Sequence, residues 1–171
     1  MTTMKISLLW SCLLISSFFH QACAEKEETI TPDDMIEQVE EVDFAGYALI
    51  TSVNVSGDAE SFQFSVGISS PDTGCDQYAD WWEVLDQNGN LLYRRILAHS
   101  HVGEQPFVRS GGSVVIAATD QVIVRAHMNN TGYGRQAYTG SVQDGFKEEI
   151  LPEDFFLDLD QVAPLPDGCA F

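Results

Sequence analysis

Basic residues are scarce in this sequence. The 171 residues include 8 Lys and Arg against 26 Asp and Glu, which gives a formal net charge of −18 at pH 7. The ends carry most of the imbalance, because 25–43 and 147–171 contain one lysine each among their many acids. Nucleic acids and anionic membrane surfaces are recognised by basic patches. The composition therefore argues against both as partners.

Long apolar runs are also missing. The run at 6–19 is shorter than the roughly 20 residues that a membrane-spanning helix needs. Lys5 precedes it, and small residues followed by acidic residues come after it. This order is typical of an export signal, so we predict that 1–24 is one.

Two maturation routes fit the end of this signal. Ala22-Cys23-Ala24 matches a small-residue cleavage site that would release Glu25 as the first residue. Alternatively, Cys23 becomes the lipidated first residue of a bacterial lipoprotein. The second route predicts an exported protein with a lipid anchor, in the periplasm or at the outer membrane or cell surface.

Cysteines are few. Of the four, Cys12 leaves with the signal, and Cys23 is either lipidated or removed. Cys75 and Cys169 remain, and in an oxidising compartment two leftover cysteines are expected to form a disulfide. Such a bond would attach the C-terminal tail to the domain; two free thiols are the alternative.

Several signatures of catalysis are absent. The sequence has no glycine-rich phosphate loop that opens a helix and no G-x-S-x-G nucleophile elbow. Asp80 with Glu83 or Glu104 could form a glycosidase carboxylate pair. The acids of 72–80 could bind calcium, although their spacing lacks the pattern of a calcium loop. A small domain offers little cleft, so the sequence favours a protein that is not an enzyme.

Period-two alternation is what the sequence does have. Phe62, Phe64, Val66 and Ile68 alternate with polar or small residues, as in a strand with one buried face. We expect strands within 47–55, 61–68, 78–85, 91–98, 113–118, 121–128 and 137–142, with hairpins across Asn88-Gly89 and across Thr119-Asp120. About seven short strands without a clear helix predict an all-β fold, an antiparallel β-sandwich of immunoglobulin or fibronectin III type. Of Trp81 and Trp82, only one can be buried between the sheets.

These patterns divide the chain into four parts. The export signal occupies 1–24 and an acidic spacer occupies 25–43. The β-sandwich domain occupies 44–146. We expect the acidic tail, 147–171, to pack its apolar residues on the domain under the disulfide.

Histidine is scarce too, with three in the mature chain. His99 and His101 are two residues apart, so on a strand their side chains would share one face. With His127 from another strand, and Glu104 as a fourth ligand, they would suit copper or zinc. The alternative is a polar network in which Glu104, Arg109 and the histidines brace a long loop, and a solvated face for His127.

Three further residues are candidates for binding an unidentified protein or small-molecule ligand. Arg109 could bind a carboxylate in a bidentate manner, although pairing with a carboxylate of its own protein is the more favoured reading. Asp80 could contact a ligand or accept hydrogen bonds from nearby groups. Tyr133 lies between two glycines and could form an exposed aromatic platform for sugar or protein.

Several of these residues belong to a larger pattern. The motifs are Asp72-Thr-Gly74, Tyr78-Ala-Asp80, His99-Ser-His101, Glu104-Gln-Pro-Phe107, Arg109-Ser110, Arg125-Ala-His127 and Gly132-Tyr-Gly134. In combination they resemble a family of uncharacterised exported bacterial β-sandwich proteins over about 45–143. The chain departs from the family at Ser100, Val108 and Cys75, where proline, threonine and an aromatic residue are usual. The resemblance implies export and no particular activity.

The sequence thus predicts an exported envelope module that binds a ligand without catalysis. The rival hypothesis is a copper- or zinc-binding protein that uses His99, His101 and His127.

Overall fold

Two antiparallel sheets form a β-sandwich in the computed structural model, which describes residues 42–170. The predicted export signal, Cys23 and nearly all of the predicted spacer lie outside the described residues. The strands are β1 Leu49–Ser56, β2 Phe62–Ser69, β3 Ala79–Asp86, β4 Leu91–Ile96, β5 Phe107–Val114, β6 Val122–Met128, β7 Gly132–Tyr133, β8 Gln136–Ser141 and β9 Gly145–Ile150. A short 3-10 helix follows at Leu157–Gln161. The predicted antiparallel sandwich is confirmed.

One sheet has three strands in the order β1-β2-β5, and the other has six. The larger sheet runs β4-β3-β6-β8-β9, and β7 pairs with β6 beside β8. The core lies between the sheets and includes the alternating residues of β2, all four of which are at most 4% exposed. Trp82 of β3 lies in this core and is fully buried.

The hairpin predicted across Asn88-Gly89 is confirmed. Asp86 accepts hydrogen bonds from the backbone amides of Asn88 and Asn90 at 2.8 and 2.9 Å, which stabilises the turn between β3 and β4. Gly89 has a φ of +80°, a conformation that costs glycine little. The side-chain hydrogen bond from Asn90 lowers the pKa of Asp86 below its ordinary value.

The second predicted hairpin, across Thr119-Asp120, is wrong. A turn exists there, but β5 pairs with β2 in the small sheet, whereas β6 pairs with β3 and β8 in the large one. Val114 and Ile116 are both buried, and the chain crosses from one sheet to the other between β5 and β6. Alternation along a strand identifies its buried face and does not identify its partner strand.

The large sheet extends further than predicted. Strand β9 pairs with β8 from Gly145 to Ile150, so it crosses the boundary predicted at 146/147. Five of its six residues are exposed and three are charged, which hid the strand in a segment that the sequence marks as an acidic tail. The residues after it, 151–170, are called the C-terminal segment below.

The C-terminal segment covers the outer face of the large sheet. Trp81 points to that face, opposite Trp82, and is nevertheless only 3% exposed. Strands β3 and β6 are therefore buried on both faces, which is why seven residues of each are buried. The predicted disulfide between Cys75 and Cys169 is confirmed, and it ties the end of this segment to the loop before β3.

Candidate functional site

Three of the residues predicted to bind a ligand or metal meet on the outer face of the large sheet. Asp80 belongs to β3, His127 to β6 and Tyr133 to β7, and these strands are neighbours. Trp81 pairs in register with His127, and His127 pairs with Tyr133. The cross-strand register brings together side chains that are far apart in the sequence.

His127 is the centre of this group. Its Nδ1 lies 2.7 Å from Oδ1 of Asp80, and both residues are buried, at 6% and 4% exposure. The imidazole stacks on Trp81 with ring centroids 3.7 Å apart and planes 8° apart. The ring of Tyr133 packs against the imidazole in a T-shaped arrangement, with ring centroids 4.6 Å apart. These contacts fix the ring orientation, and the expectation that His127 lies on a solvated face is wrong.

Tyr133 is not the exposed platform that its flanking glycines suggested. Tyr133 is 9% exposed. Its hydroxyl oxygen accepts hydrogen bonds from Trp81 Nε1 at 3.3 Å and Arg94 Nη2 at 3.2 Å. Burial raises the pKa of the phenol well above its ordinary value, and the negative charge of Glu83 adds to the effect. Tyr133 is therefore a neutral, structural member of the group.

A buried carboxylate, that of Glu83, lies beside this group. The sequence analysis did not predict its structural role. Glu83 accepts from Arg94 Nε and Nη2 at 2.8 and 2.6 Å, and from Arg125 Nε at 2.8 Å. All three side chains are at most 1% exposed. Glu83 lies opposite both arginines in the strand register, so correct strand pairing would have revealed the cluster.

The remaining donors of the two arginines hold the C-terminal segment. Arg125 donates to the carbonyls of Phe155 and Phe156, at 2.8 and 3.0 Å. Arg94 donates to the carbonyls of Leu159, at 2.7 Å, Val162, and Pro164, at 3.1 Å. The cluster of Glu83, Arg94 and Arg125, called the guanidinium clamp below, thus fixes an irregular segment by its backbone. The segment contacts the sheet through its backbone carbonyls as well as through the apolar side chains of Leu151, Phe155 and Leu159.

Two cavities open where the C-terminal segment meets the sheet, and His127 lines both. The first, of about 590 Å³, is also lined by Asp43, Tyr47, Tyr133, Arg135, Glu153 and Asp160. The second, of about 590 Å³, is also lined by Tyr78, Asp80, Trp81, Asp160 and Cys169. Both volumes lie within the range of small-molecule sites. Asp160 of the C-terminal segment borders both cavities, so one wall of the site is this segment.

The His99-Ser-His101 stretch lies elsewhere, in the loop between β4 and β5 and not on a strand. The ring centroids of His99 and His101 are 4.6 Å apart, and His101 stacks on Phe107 with ring centroids 3.9 Å apart. His101 is 2% exposed, and its two ring nitrogens are buried without a hydrogen-bond partner within residues 42–170. Burial lowers the pKa of His101, and the charge of Arg109 lowers it further.

This loop is braced by the polar residues of its own motifs. Asp72 Oδ2 accepts from the backbone amide of His101 at 2.7 Å, and its Oδ1 accepts from Ser70 Oγ at 2.7 Å. Gln105 accepts from the amide of Ser70 and donates to its hydroxyl. Asp72 and Gln105 thus brace the loop, whereas the sequence had pointed to Glu104, Arg109 and the histidines as the bracing network.

Arg109 and Glu104 form an exposed pair. Arg109 Nη2 donates to Glu104 Oε2 at 2.7 Å, and this hydrogen bond lowers the pKa of Glu104. The favoured reading, that Arg109 binds a carboxylate of its own protein, fits this contact.

The proposed ligand set of His99, His101, His127 and Glu104 finds no support in the structure. His127 is bonded to Asp80 and stacked on Trp81, contacts that involve neither His99 nor His101. No group of three or more His, Cys, Asp or Glu suited to a metal ion occurs among residues 42–170.

Comparison with known proteins identifies a similar protein that is described as a lipoprotein. No family model and no solved structure matches the chain. A protein of Halomicrobium mukohataei with the description "Putative lipoprotein" is 36% identical over 122 residues, which are 71% of this chain and 60% of that protein. The chain thus spans about three fifths of the length of this relative. In the described part, 42–170, no helix is long and apolar enough to cross a membrane. Most of this chain is therefore similar to a protein that is described as a lipoprotein.

Proposed function

We propose that the protein is an exported, lipid-anchored envelope protein whose β-sandwich is a non-enzymatic binding module. The apolar run that ends at Cys23 supports export and anchoring, as does the similarity to a protein described as a lipoprotein. The resemblance to the motif family noted above is a further reason to favour export. The ligand site is the pair of cavities around His127.

One observation carries the proposal. His127 is a buried imidazole, oriented by Asp80 and Trp81, that nevertheless lines two cavities of small-molecule size. A ring held so firmly at a cavity wall suits recognition, because its polar atom meets a ligand without loss of side-chain freedom.

The nearby hydroxyls favour binding over catalysis. A nucleophilic mechanism would need a hydroxyl or thiol that His127 activates. Thr131 donates its hydroxyl to the carbonyl of Gly46 at 2.6 Å, and burial raises the pKa of Tyr133. Cys75 and Cys169 are joined to each other.

A ligand screen by NMR tests this function. Compounds that bind should shift the imidazole signals of His127 and the indole signal of Trp81, while the signals of His99 stay unchanged. Hydrolytic turnover of a screened compound at these cavities, or binding that leaves His127 and Trp81 unaffected, would contradict the proposal.

Transition-metal binding at His99 and His101 is the second candidate. The observation in its favour is that the two ring nitrogens of His101 are buried and have no hydrogen-bond partner within the described residues. Imidazoles suit copper and zinc. Calorimetric titration with either ion should show binding that is lost in His101→Ala and kept in His127→Ala. Absence of binding, or equal binding by both variants, removes this candidate.

A further inference from the structure

The charge and hydrogen-bonding capacity of the two cavities specify a class of ligand. Resting on the function proposed above, we propose that they bind an organic cation of the ammonium type. Three features of the cavity linings support this inference: a hydrogen-bond acceptor, the negative charges and the aromatic rings.

His127 presents an acceptor to the cavities. A carboxylate only accepts hydrogen bonds, so in the neutral ring Nδ1 carries the proton that is donated to Asp80, 2.7 Å away. Nε2 then holds a lone pair, and the hydrogen bond described for the ring is the one between Nδ1 and Asp80. The residue is 6% exposed and lines both cavities. Its natural partner is a ligand that donates a hydrogen bond.

The charges of the lining favour a positive ligand. Four carboxylates line the two cavities, those of Asp43, Asp80, Glu153 and Asp160. Arg135 is the one Lys or Arg side chain in the two linings, and its Nε donates to the carbonyl of Leu151 at 3.0 Å. Clefts lined by charges of one sign concentrate ligands of the opposite sign.

Aromatic rings favour an organic cation over a metal ion. Tyr47 and Tyr133 line the first cavity, and Tyr78 and Trp81 line the second. Ring faces attract ammonium and guanidinium groups. The ring of Trp81 is covered by the imidazole of His127 and the guanidinium of Arg94, and the ring of Tyr133 by the guanidinium of Arg125. Tyr47 and Tyr78 are therefore the rings that we propose contact the ligand. A metal ion would need several ligand atoms at one point, and residues 42–170 hold no such group of three.

The experiment compares a cation with its uncharged isostere. Choline and 3,3-dimethylbutan-1-ol have nearly the same shape and differ in charge. Each is titrated into the full-length exported protein at low salt, with the His127 and Trp81 NMR signals as the readout. We expect saturable shifts with choline and at least tenfold weaker binding of the neutral alcohol.

Two variants locate the charge that matters. Asp160 borders both cavities, whereas Asp158 of the same 3-10 helix borders neither. Asp160→Asn should weaken choline binding about tenfold, because it removes one negative charge from the lining of both cavities. Asp158→Asn should leave choline binding unchanged and serves as the matched control.

The outcomes separate the inference from the function on which it rests. Equal binding of the two compounds, equal effects of the two variants, or preferential binding of zinc or calcium at His127 overturns the cation inference and leaves a binding site. If none of these probes and no screened compound shifts His127 or Trp81, both the inference and the proposed function fail.

Discussion

At the scale of residues, the outer face of the large sheet depends on one carboxylate. Glu83 pairs with two buried guanidiniums, and those guanidiniums hold the C-terminal segment. Breaking a buried ion pair by removal of one partner is far more costly than the loss of an exposed pair, because a charge stays buried without compensation.

Glu83→Gln should therefore lower the free energy of unfolding by about 3–5 kcal/mol. Glu104→Gln is the control, since that side chain is 55% exposed and pairs with Arg109 at the surface. It should change the free energy by less than about 1 kcal/mol. Urea denaturation measures both, and similar losses in the two variants would contradict the role assigned to the guanidinium clamp.

His101 gives the stability a pH dependence. Burial lowers its pKa in the folded protein, whereas an unfolded histidine protonates near pH 6.5. The folded state then binds fewer protons, so the stability due to this ring is present above about pH 6.5 and is lost as the pH falls below it.

His101→Phe removes this dependence and keeps the stacking on Phe107. The wild type should lose on the order of 1 kcal/mol more than the variant between pH 7.5 and pH 5. Unfolding curves at the two pH values provide the measurement. Parallel losses in both proteins would mean that His101 does not carry the effect.

At the scale of elements, the β3–β4 turn and the C-terminal segment fit closely. A Cβ added at Gly89 would lie 2.3 Å from the ring of Phe156, and the glycine also has a φ of +80°. A Cβ added at Gly103, by contrast, would have no other atom within 4 Å.

Gly89→Ala should accordingly destabilise the protein by about 1–2 kcal/mol, from backbone strain and displacement of Phe156. Gly103→Ala should have an effect within about 0.5 kcal/mol. Thermal unfolding of the two variants tests the contact; a neutral Gly89→Ala would show that Phe156 does not pack there.

The disulfide restrains the same segment by a covalent bond. Cys75 and Cys169 are 94 residues apart, and closing a loop of that length stabilises by about 4–5 kcal/mol in the chain-entropy model. The double variant Cys75→Ser and Cys169→Ser should lose about this much and exchange the amides of 151–168 faster. Unchanged exchange there would indicate that the guanidinium clamp alone holds the segment.

At the scale of the whole molecule, the lipid anchor proposed above depends on a cysteine beyond the described residues. If Cys23 is lipidated, the mature protein should partition with membranes, and its first residue should carry acyl chains detectable by mass spectrometry. Cys23→Ala should release the protein into the soluble exported fraction. An unmodified mature protein that begins at Glu25 would contradict the lipid anchor and leave export intact.

Local patterns in the sequence predicted much of the sandwich. Alternation identified the buried face of β2, and Asn88-Gly89 identified a hairpin, because both depend on neighbouring residues. Strand β9 was missed because most of its residues are exposed, although it forms a local hairpin with β8. The β5–β6 crossover was missed because it depends on pairing between distant segments. The same limit explains Tyr133 and His127: nothing near either residue indicates that the C-terminal segment covers it.

The most direct test of the central claim is a crystal structure of the protein with choline, or with the tightest binder of the screen. We predict that the compound lies in the cavities between the sheet and the C-terminal segment, with a donor or cationic group next to Nε2 of His127 and near Asp160. A compound bound elsewhere, with the cavities around His127 filled by solvent, would contradict the account.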